Sequence, residues 1–314
     1  LRVAFFGTPG FAVPTLDALL KSVHQVVGVI TQPDRPRGRG QLAKPEAVKA
    51  RALQVRLPIL QPDSLKDPSA VSALAQLDAD IGVVAAYGKI LPAAVLALPR
   101  LGLINVHASL LPRHRGAAPI HRAIMAGDIE TGVTIMRVVL ALDAGPMLSS
   151  VRRSIGPEET SVEVEADLAL LGADLLVETL NGLARGQVHD VPQDQSLATY
   201  AHRLSREDGI VDWARPARDI HNQIRGLHPW PHAYTFLRGA RIILRRSHLS
   251  TDPSPGSPPP GTILRAHGDE IIISTGSGGL QLTELQLEGR KPLRARDFLA
   301  GHSLAPGDQF RQVP

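Results

Sequence analysis

Leu1-Arg2-Val3-Ala4-Phe5-Phe6-Gly7-Thr8-Pro9-Gly10 decides the fold. Arg2–Phe6 reads by composition as a buried strand, and Gly7-Thr8-Pro9-Gly10 as the turn that ends it. Val13–Ser22 then has amphipathic helical spacing, and Gln25–Thr31 is a second β-rich run. The alternation continues. Ala79–Ala86, Leu103–His107, Gly132–Val139 and Met147–Ser154 read as strands, while Ala117–Ala126 and Val162–Leu183 read as helices. Strands alternating with helices imply a mostly parallel, Rossmann-like α/β sheet covered on both faces, with ligands beyond the carboxyl ends of the strands.

The character changes near Gly186. Gly186–Leu197 is polar and reads as the core of a linker spanning 186–205, which separates a first domain (1–185) from a second (206–314). In the second, Ala217–Arg225 reads as a helix. Tyr234–Leu237, Arg241–Arg246, Glu270–Thr275 and Leu280–Leu287 read as short strands of a small barrel or sandwich. Thr251–Gly261, with five prolines and two glycines, reads as a surface loop.

Length and composition agree with this picture. A chain of 314 residues with 43% hydrophobic and 20% charged residues suits a globular protein of about two domains. The absence of cysteine excludes disulfides, thiolate metal sites and a cysteine nucleophile, and favours a cytoplasmic protein. The first residues read as a strand and not as a signal peptide, and no apolar run is long enough to span a membrane. From Tyr200 onward there are 15 basic and 11 acidic residues, which accounts for the entire formal charge of +4. Seven of the 12 histidines lie there too. A basic second domain suits a polyanionic partner, and equally a mildly basic surface with none.

Four constellations are candidates for chemistry. The first turn, with Asp34 beyond it, invites a dinucleotide reading, but Pro9 lacks the backbone N–H that phosphate binding uses, so a tight strand-to-helix turn is preferred. Pro33–Lys44 is a proline- and glycine-rich basic loop after the second strand, placed to embrace phosphates. In Leu103–His107 the period of two puts Asn105 and His107 on one side, and Leu142-Asp143-Ala144-Gly145 closes another apolar segment. An amide, an imidazole and a carboxylate at strand ends form a set suited to acyl transfer. Asn can donate to an oxyanion, His can move protons near neutral pH, and Asp can orient the His or take a proton from an amine. In isolation an Asn-x-His pair is more often structural. His228-Pro229-Trp230-Pro231-His232 reads as a rigid corner rather than a ligand platform.

The stretch Asn105-Val106-His107-Ala108-Ser109-Leu110-Leu111-Pro112-Arg113-His114-Arg115-Gly116 resembles the folate-dependent formyltransferases. So, in order, do Val3–Pro14, Thr31–Gly40, Ala86–Pro92, Ala117–Asp128 and Arg225–Tyr234, and the likeness covers essentially the whole chain. Among these enzymes it is nearest to those acting on charged initiator tRNA. The resemblance implies Asn105, His107 and Asp143 as the catalytic trio. It implies folate contacts from Ser109, Leu110, Leu111 and Pro112, and from Tyr87, Gly88 and Ile90 within Ala86–Leu91. It assigns Arg37, Arg39 and Lys44 to the tRNA acceptor end, and makes the second domain an OB-like tRNA-binding barrel. The implied reaction moves a formyl group from 10-formyltetrahydrofolate to the α-amine of methionyl initiator tRNA in a cytoplasmic monomer, with no metal and no membrane. The alternatives are the same chemistry on an amino-sugar nucleotide or glycinamide ribonucleotide, a formyl-folate hydrolase, and a non-catalytic RNA-binding module. The sequence departs from the family's usual pattern at Ala141, His114, Gln41 and Leu42.

Overall fold

The computed structural model describes residues 1–34, 45–250 and 258–313, together with the backbone of two short paired strands, Pro36–Arg37 and Leu42–Ala43. The chain forms two compact units. One comprises Leu1–Pro119, Glu130–Arg153 and Glu165–Ala201; the other comprises Ile120–Ile129, Ser154–Val164 and His202–Pro314. Most of the loop Thr251–Gly261 lies outside the described residues.

The first unit is built on a seven-stranded sheet. Its strands are β1 (Arg2–Gly7), β2 (Gln25–Ile30), β3 (Ile59–Leu60), β4 (Ile81–Ala85), β5 (Leu103–His107), β6 (Glu130–Arg137) and β7 (Met147–Ser154). They lie in the order β7-β6-β5-β4-β1-β2-β3. The stretch from β5 to β3 is parallel, and β6 pairs antiparallel to β5. Strands sandwiched between layers need apolar side chains on both faces. Accordingly Val3, Phe5, Phe6, Val29, Ile30, Ile81, Val83 and Ile104 are all buried.

The order runs outward from β1 in both directions, so the crossovers switch sides between β1 and β4. Beyond the carboxyl ends of such neighbouring strands the connections diverge and leave a crevice. Helix α1 (Val13–Lys21) starts with proline in its first turn, where a missing N–H is tolerated, and buries Leu16 and Leu19. Helices α2 (Ala47–Gln54) and α3 (Pro68–Ala75), absent from the sequence reading, bury only Val48 and Ala52, and Leu74. So short an apolar stripe gives little periodic signal. The long helix α4 (Ser161–Ala184) places Leu168, Leu176 and Leu180 inward. At Gly172 it approaches so closely that an added Cβ would stand 2.8 Å from Val106 and 3.2 Å from Val133.

The second unit is a small OB-like β-barrel. Its strands β8 (Ala233–Leu237), β9 (Ala240–Ser250), β10 (Ile263–His267), β11 (Glu270–Ser274) and β12 (Gly279–Leu287) form an antiparallel sheet in the order β8-β9-β12-β11-β10. The two edges, β8 and β10, do not pair directly. The C-terminal segment bridges them: Phe236 exchanges backbone hydrogen bonds of 2.8 Å with Arg311, while Ile263 N donates to Asp308 O and Phe310 N to Gly261 O, each at 2.8 Å. Closure removes two edges that would otherwise expose unpaired backbone. Inside, Ile271, Ile273, Leu280, Leu282 and Leu285 pack with Ile220 and Ile224 of helix α5 (Ala217–Gly226) and with Phe298 of helix α6 (Ala295–Gly301). Phe310 stacks on Trp213, with centroids 5.7 Å apart and planes 18° apart.

Both tryptophans, Trp213 and Trp230, belong to the second unit, so intrinsic fluorescence reports on that unit. Phe310→Ala removes the stacked plug of the closing segment. It should lower the unfolding free energy read by tryptophan fluorescence in urea by about 3–5 kcal/mol. A loss below about 1 kcal/mol would mean that the segment does not hold the barrel closed.

Candidate active site

Strand β5, one strand beyond the β1/β4 switch point, carries Asn105 and His107 to its carboxyl end. Its alternate residues Ile104 and Val106 are buried in the sheet's packing. Asn105 pairs with Val84 on β4 and Met136 on β6, and His107 pairs with Thr134. His107 is 5% exposed, and its Nε2 lies 3.0 Å from His114 O. A carbonyl oxygen only accepts, so Nε2 carries the hydrogen, and the neutral ring keeps its lone pair on Nδ1. That Nδ1 stands 3.7 Å from Asp143 Oδ2, too far for a hydrogen bond and near enough for charge stabilisation. The three residues expected to converge do so in part. His107 and Asp143 are adjacent, and Asn105 shares the His107 face of the strand. Among the described residues no hydrogen bond occupies the Asn105 amide.

Asp143 is held in place. Its Oδ2 accepts from Gly116 N at 2.8 Å, and its backbone is left-handed with φ +46°. Two residues on, Gly145 sits where a Cβ would stand 1.9 Å from Arg137 O, so only glycine lets the loop pass. Gly116 is under a similar constraint. Its φ is +120°, and a Cβ would meet Ala201 O at 2.7 Å.

The turn after β5 is knotted by its own polar groups. Ser109 is fully buried; its hydroxyl donates to Arg113 O at 2.7 Å, and its carbonyl accepts from Thr134 Oγ1 at 2.8 Å. Leu111 N donates to Thr134 Oγ1 at 3.2 Å. Leu111 is buried and joined to Pro112 by a cis peptide, whereas Leu110 and Pro112 are half-buried. Of the four residues expected to meet folate, Ser109 and Leu111 are thus engaged in the turn itself, and Leu110 and Pro112 keep exposed surface.

The neighbouring turn after β4 is tied to the first turn of the chain. Tyr87 O accepts from Gln32 Nε2 at 2.8 Å and from Thr8 Oγ1 at 3.3 Å. The Gly7–Gly10 turn therefore anchors a loop, in keeping with its reading as a plain strand-to-helix turn. Asp34 is bonded to Lys49 and Gln61. The Tyr87 ring is buried against Phe6, and burial pushes its phenol up to about 12. Gly88 has φ +78°, and a Cβ there would meet Gln32 Nε2 at 2.7 Å. Ile90, by contrast, is 90% exposed. Of the residues expected at tRNA, Arg37 has only its backbone described, paired with Leu42; Arg39 and Lys44 lie outside the described residues. Among the described residues no group of three or more His, Asp or Glu side chains could hold a metal ion, and no helix is long and apolar enough to cross a membrane.

Residues 1–180 match the family described as formyl transferase, and residues 203–303 match its C-terminal domain. The chain belongs to the formyl transferase family. Among its relatives, the methionyl-tRNA formyltransferase of Stutzerimonas stutzeri is 49% identical over 98% of this chain and 97% of its own length. That of Sorangium cellulosum is 44% identical over 98% of each. Similar solved folds include WlaRD, a sugar 3N-formyl transferase, with a TM-score of 0.69 at 17% identity, covering 93% of this chain and 99% of that one. HypX from Aquifex aeolicus in complex with tetrahydrofolic acid has a TM-score of 0.61 at 15% identity, covering 95% of this chain and 46% of that one.

Sequence reasoning left one part of this formyl transferase site unread. Residues 187–201 pack within the first unit. Gln193, inside the polar stretch expected as linker, is 7% exposed and faces the Asp143 loop. A lone glutamine in a polar segment has no periodic or motif signature. The buried Arg115 it bonds lies within the family motif, but a motif does not encode what its guanidinium touches.

The segment His228–His232 lies in the second unit, with Trp230 at its centre 52% exposed. His228 and His232 rings lie 5.3 Å apart, and Arg245 Nη1 donates to His232 Nε2 at 3.1 Å. Burial, then Arg245, then His228 pull His232 down to about 4. The folded state therefore holds a neutral ring that in the unfolded chain titrates near 6.5. Its stabilising effect is full above about pH 6.5 and is lost as pH falls toward 4. His232→Asn tolerates the left-handed φ of +66° and removes the titration. It should flatten the fall of stability between pH 7 and pH 4.5, read by tryptophan fluorescence in urea. An unchanged slope would place the titrating group elsewhere.

Proposed function

We propose that this chain transfers the formyl group of 10-formyltetrahydrofolate to the α-amine of methionine esterified to initiator tRNA. The observation that carries the reading is the pairing of His107 Nδ1 with Asp143 beside a free Asn105 amide, in a chain that matches methionyl-tRNA formyltransferases end to end.

The strand ends have features that suit a folate head. The Asn105 amide is unengaged, Ile90 is exposed, and Leu110 and Pro112 keep part of their apolar surface exposed. Tyr87 and Gly88 would present backbone and Ser109 and Leu111 would set the shape of the turn, while Leu110, Pro112 and Ile90 would touch the ligand. Bound there, the folate supplies an activated formyl carbon.

The acceptor amine must be neutral to attack, and a free α-amine titrates at roughly 8, so a useful fraction is unprotonated at neutral pH. Attack places negative charge on the formyl oxygen. Asn105 Nδ2 is a donor for that oxygen, a contact worth about 3–4 kcal/mol. Because Nε2 of His107 is committed to His114 O, its Nδ1 is the nitrogen that can take the amine proton. The imidazolium so formed would be stabilised by Asp143 Oδ2, held in place by the Gly116 amide. The same proton is then available to the departing folate nitrogen.

For acceptor choice, the basic loop around Arg37, Arg39 and Lys44 and the basic last third of the chain would neutralise tRNA phosphates. A small amine such as an amino-sugar nucleotide would need neither. Cytoplasmic location and a monomeric state belong to the same proposal.

Two measurements test it. Given the formyl-folate donor, the chain should deliver the formyl group to charged initiator tRNA, and His107→Ala should cut kcat by about 10²–10⁴-fold with little change in KM for tRNA. Near-normal turnover in that variant, or formyl delivery to water or a small amine instead, would overturn the reading. Arg39→Ala should raise KM for tRNA and reduce the salt slope of binding by about 1, leaving folate binding unchanged. Loss of folate binding would make Arg39 a structural residue.

A further inference from the structure

The geometry points to Gln193 as a positioning residue: clamped by the buried guanidinium of Arg115, it sets the backbone of the Asp143 loop and thereby places the carboxylate beside His107. This deepens the reading above and rests on it for its kinetic part. Gln193 is 7% exposed and fully used. Its Oε1 accepts from Arg115 Nε at 3.0 Å and from Arg115 Nη2 at 2.6 Å. Its Nε2 donates to Asp143 O at 2.9 Å and to Gly145 O at 2.7 Å. The amide thus straddles the residue whose carboxylate matters and fixes both ends of the bend at Ala144.

Arg115 supplies the rigidity. It is only 2% exposed, and its third bond, from Nη1, goes to Gln195 Oε1 at 2.8 Å. A planar guanidinium fork fixes the plane of the amide it bonds, which a flexible ammonium would not do. The next residue, Gly116, donates its N–H to Asp143 Oδ2. Arg115 and Gly116 therefore hold Asp143 from two sides: through Gln193 on its backbone, and directly on its carboxylate. A buried cation satisfied by neutral amide oxygens costs desolvation without a full counter-charge. Ordering the loop that carries Asp143 is what that cost secures. Gln193 and Gln195 themselves touch no reacting atom, so their effect passes through Asp143.

The test separates the donor half of Gln193 from its acceptor half. Gln193→Glu keeps an oxygen for Arg115 and loses both donors to the Asp143 loop. Its kcat for formyl transfer should fall about 10²-fold, with KM for folate and tRNA within two-fold of the unaltered chain. Hydrogen exchange at the Gly116 amide, a readout independent of activity, should accelerate at least ten-fold as Asp143 Oδ2 leaves it. Gln195→Met, on the exposed side of the same guanidinium, serves if Gln193→Glu does not fold; it should lower kcat several-fold with KM unchanged. Unchanged kcat in the variant that folds, or a fall in kcat matched by an equal fall in folded fraction, overturns the proposal. So does unchanged Gly116 exchange in Gln193→Glu. If the unaltered chain shows no formyl transfer, the functional reading fails while Gly116 exchange still decides whether Gln193 positions the loop.

Discussion

The site depends on one constraint: the backbone leaving β5 must turn back within nine residues, so that Gly116 can hold Asp143 while His114 holds His107. The two bonds measure 2.8 Å from Gly116 N to the carboxylate and 3.0 Å from the imidazole to His114 O. Together they fix the carboxylate and the tautomer of the ring. Neither could form if the turn were relaxed. His114 at φ +57°, Gly116 at φ +120° and Asp143 at φ +46° all occupy backbone regions that L-residues avoid. Such conformations persist when surrounding bonds over-determine them. Here those bonds are the knot around Ser109 and Thr134, the Thr199 hydroxyl that accepts from His114 N, and the amide clamp of Gln193.

The same turn explains why a polar segment far along the chain matters. Tyr200–Ala201 pairs in parallel with Arg115–Gly116, and Thr199 O accepts from Arg115 N at 2.9 Å. The segment 193–201 thus satisfies backbone and side-chain groups of the turn that would otherwise be buried without partners. Burying an unpaired polar group costs a few kcal/mol, so such a segment is as much part of the site as the strand ends. The chemistry stays at the strand ends because only there do adjacent parallel strands release their loops toward a common crevice.

Much of the fold was legible because burial imposes periodicity. The run Arg2–Phe6, the strand Leu103–His107 and the long helix at Ser161–Ala184 all carry strong patterns. Helices α2 and α3 did not show, because one or two buried side chains leave no stripe to detect. In the second unit β8, β9, β11 and β12 were legible, while β10, with only Ile263 fully buried along it, was not. At the site, Asn105 and His107 could be placed together by the strand's period of two, Asp143 stood out as a carboxylate closing another apolar segment, and the family resemblance joined the three as a trio. The path of Gln193 could not be read, because its partners lie 48 to 78 residues away and its own segment looks like solvent-exposed linker.

The amino-acid sequence alone determined the alternation of strands and helices, the Asn-x-His pair on one face of a strand end, and the concentration of positive charge in the last third. Those follow from local periodicity and composition. Tertiary structure decided which ring nitrogen of His107 is free and that Asp143 is gripped by a backbone amide. It also decided that a buried arginine is satisfied by two glutamines, and that the C-terminal segment closes the barrel. Each of these rests on distances between groups far apart in the chain, and no local pattern encodes such a distance.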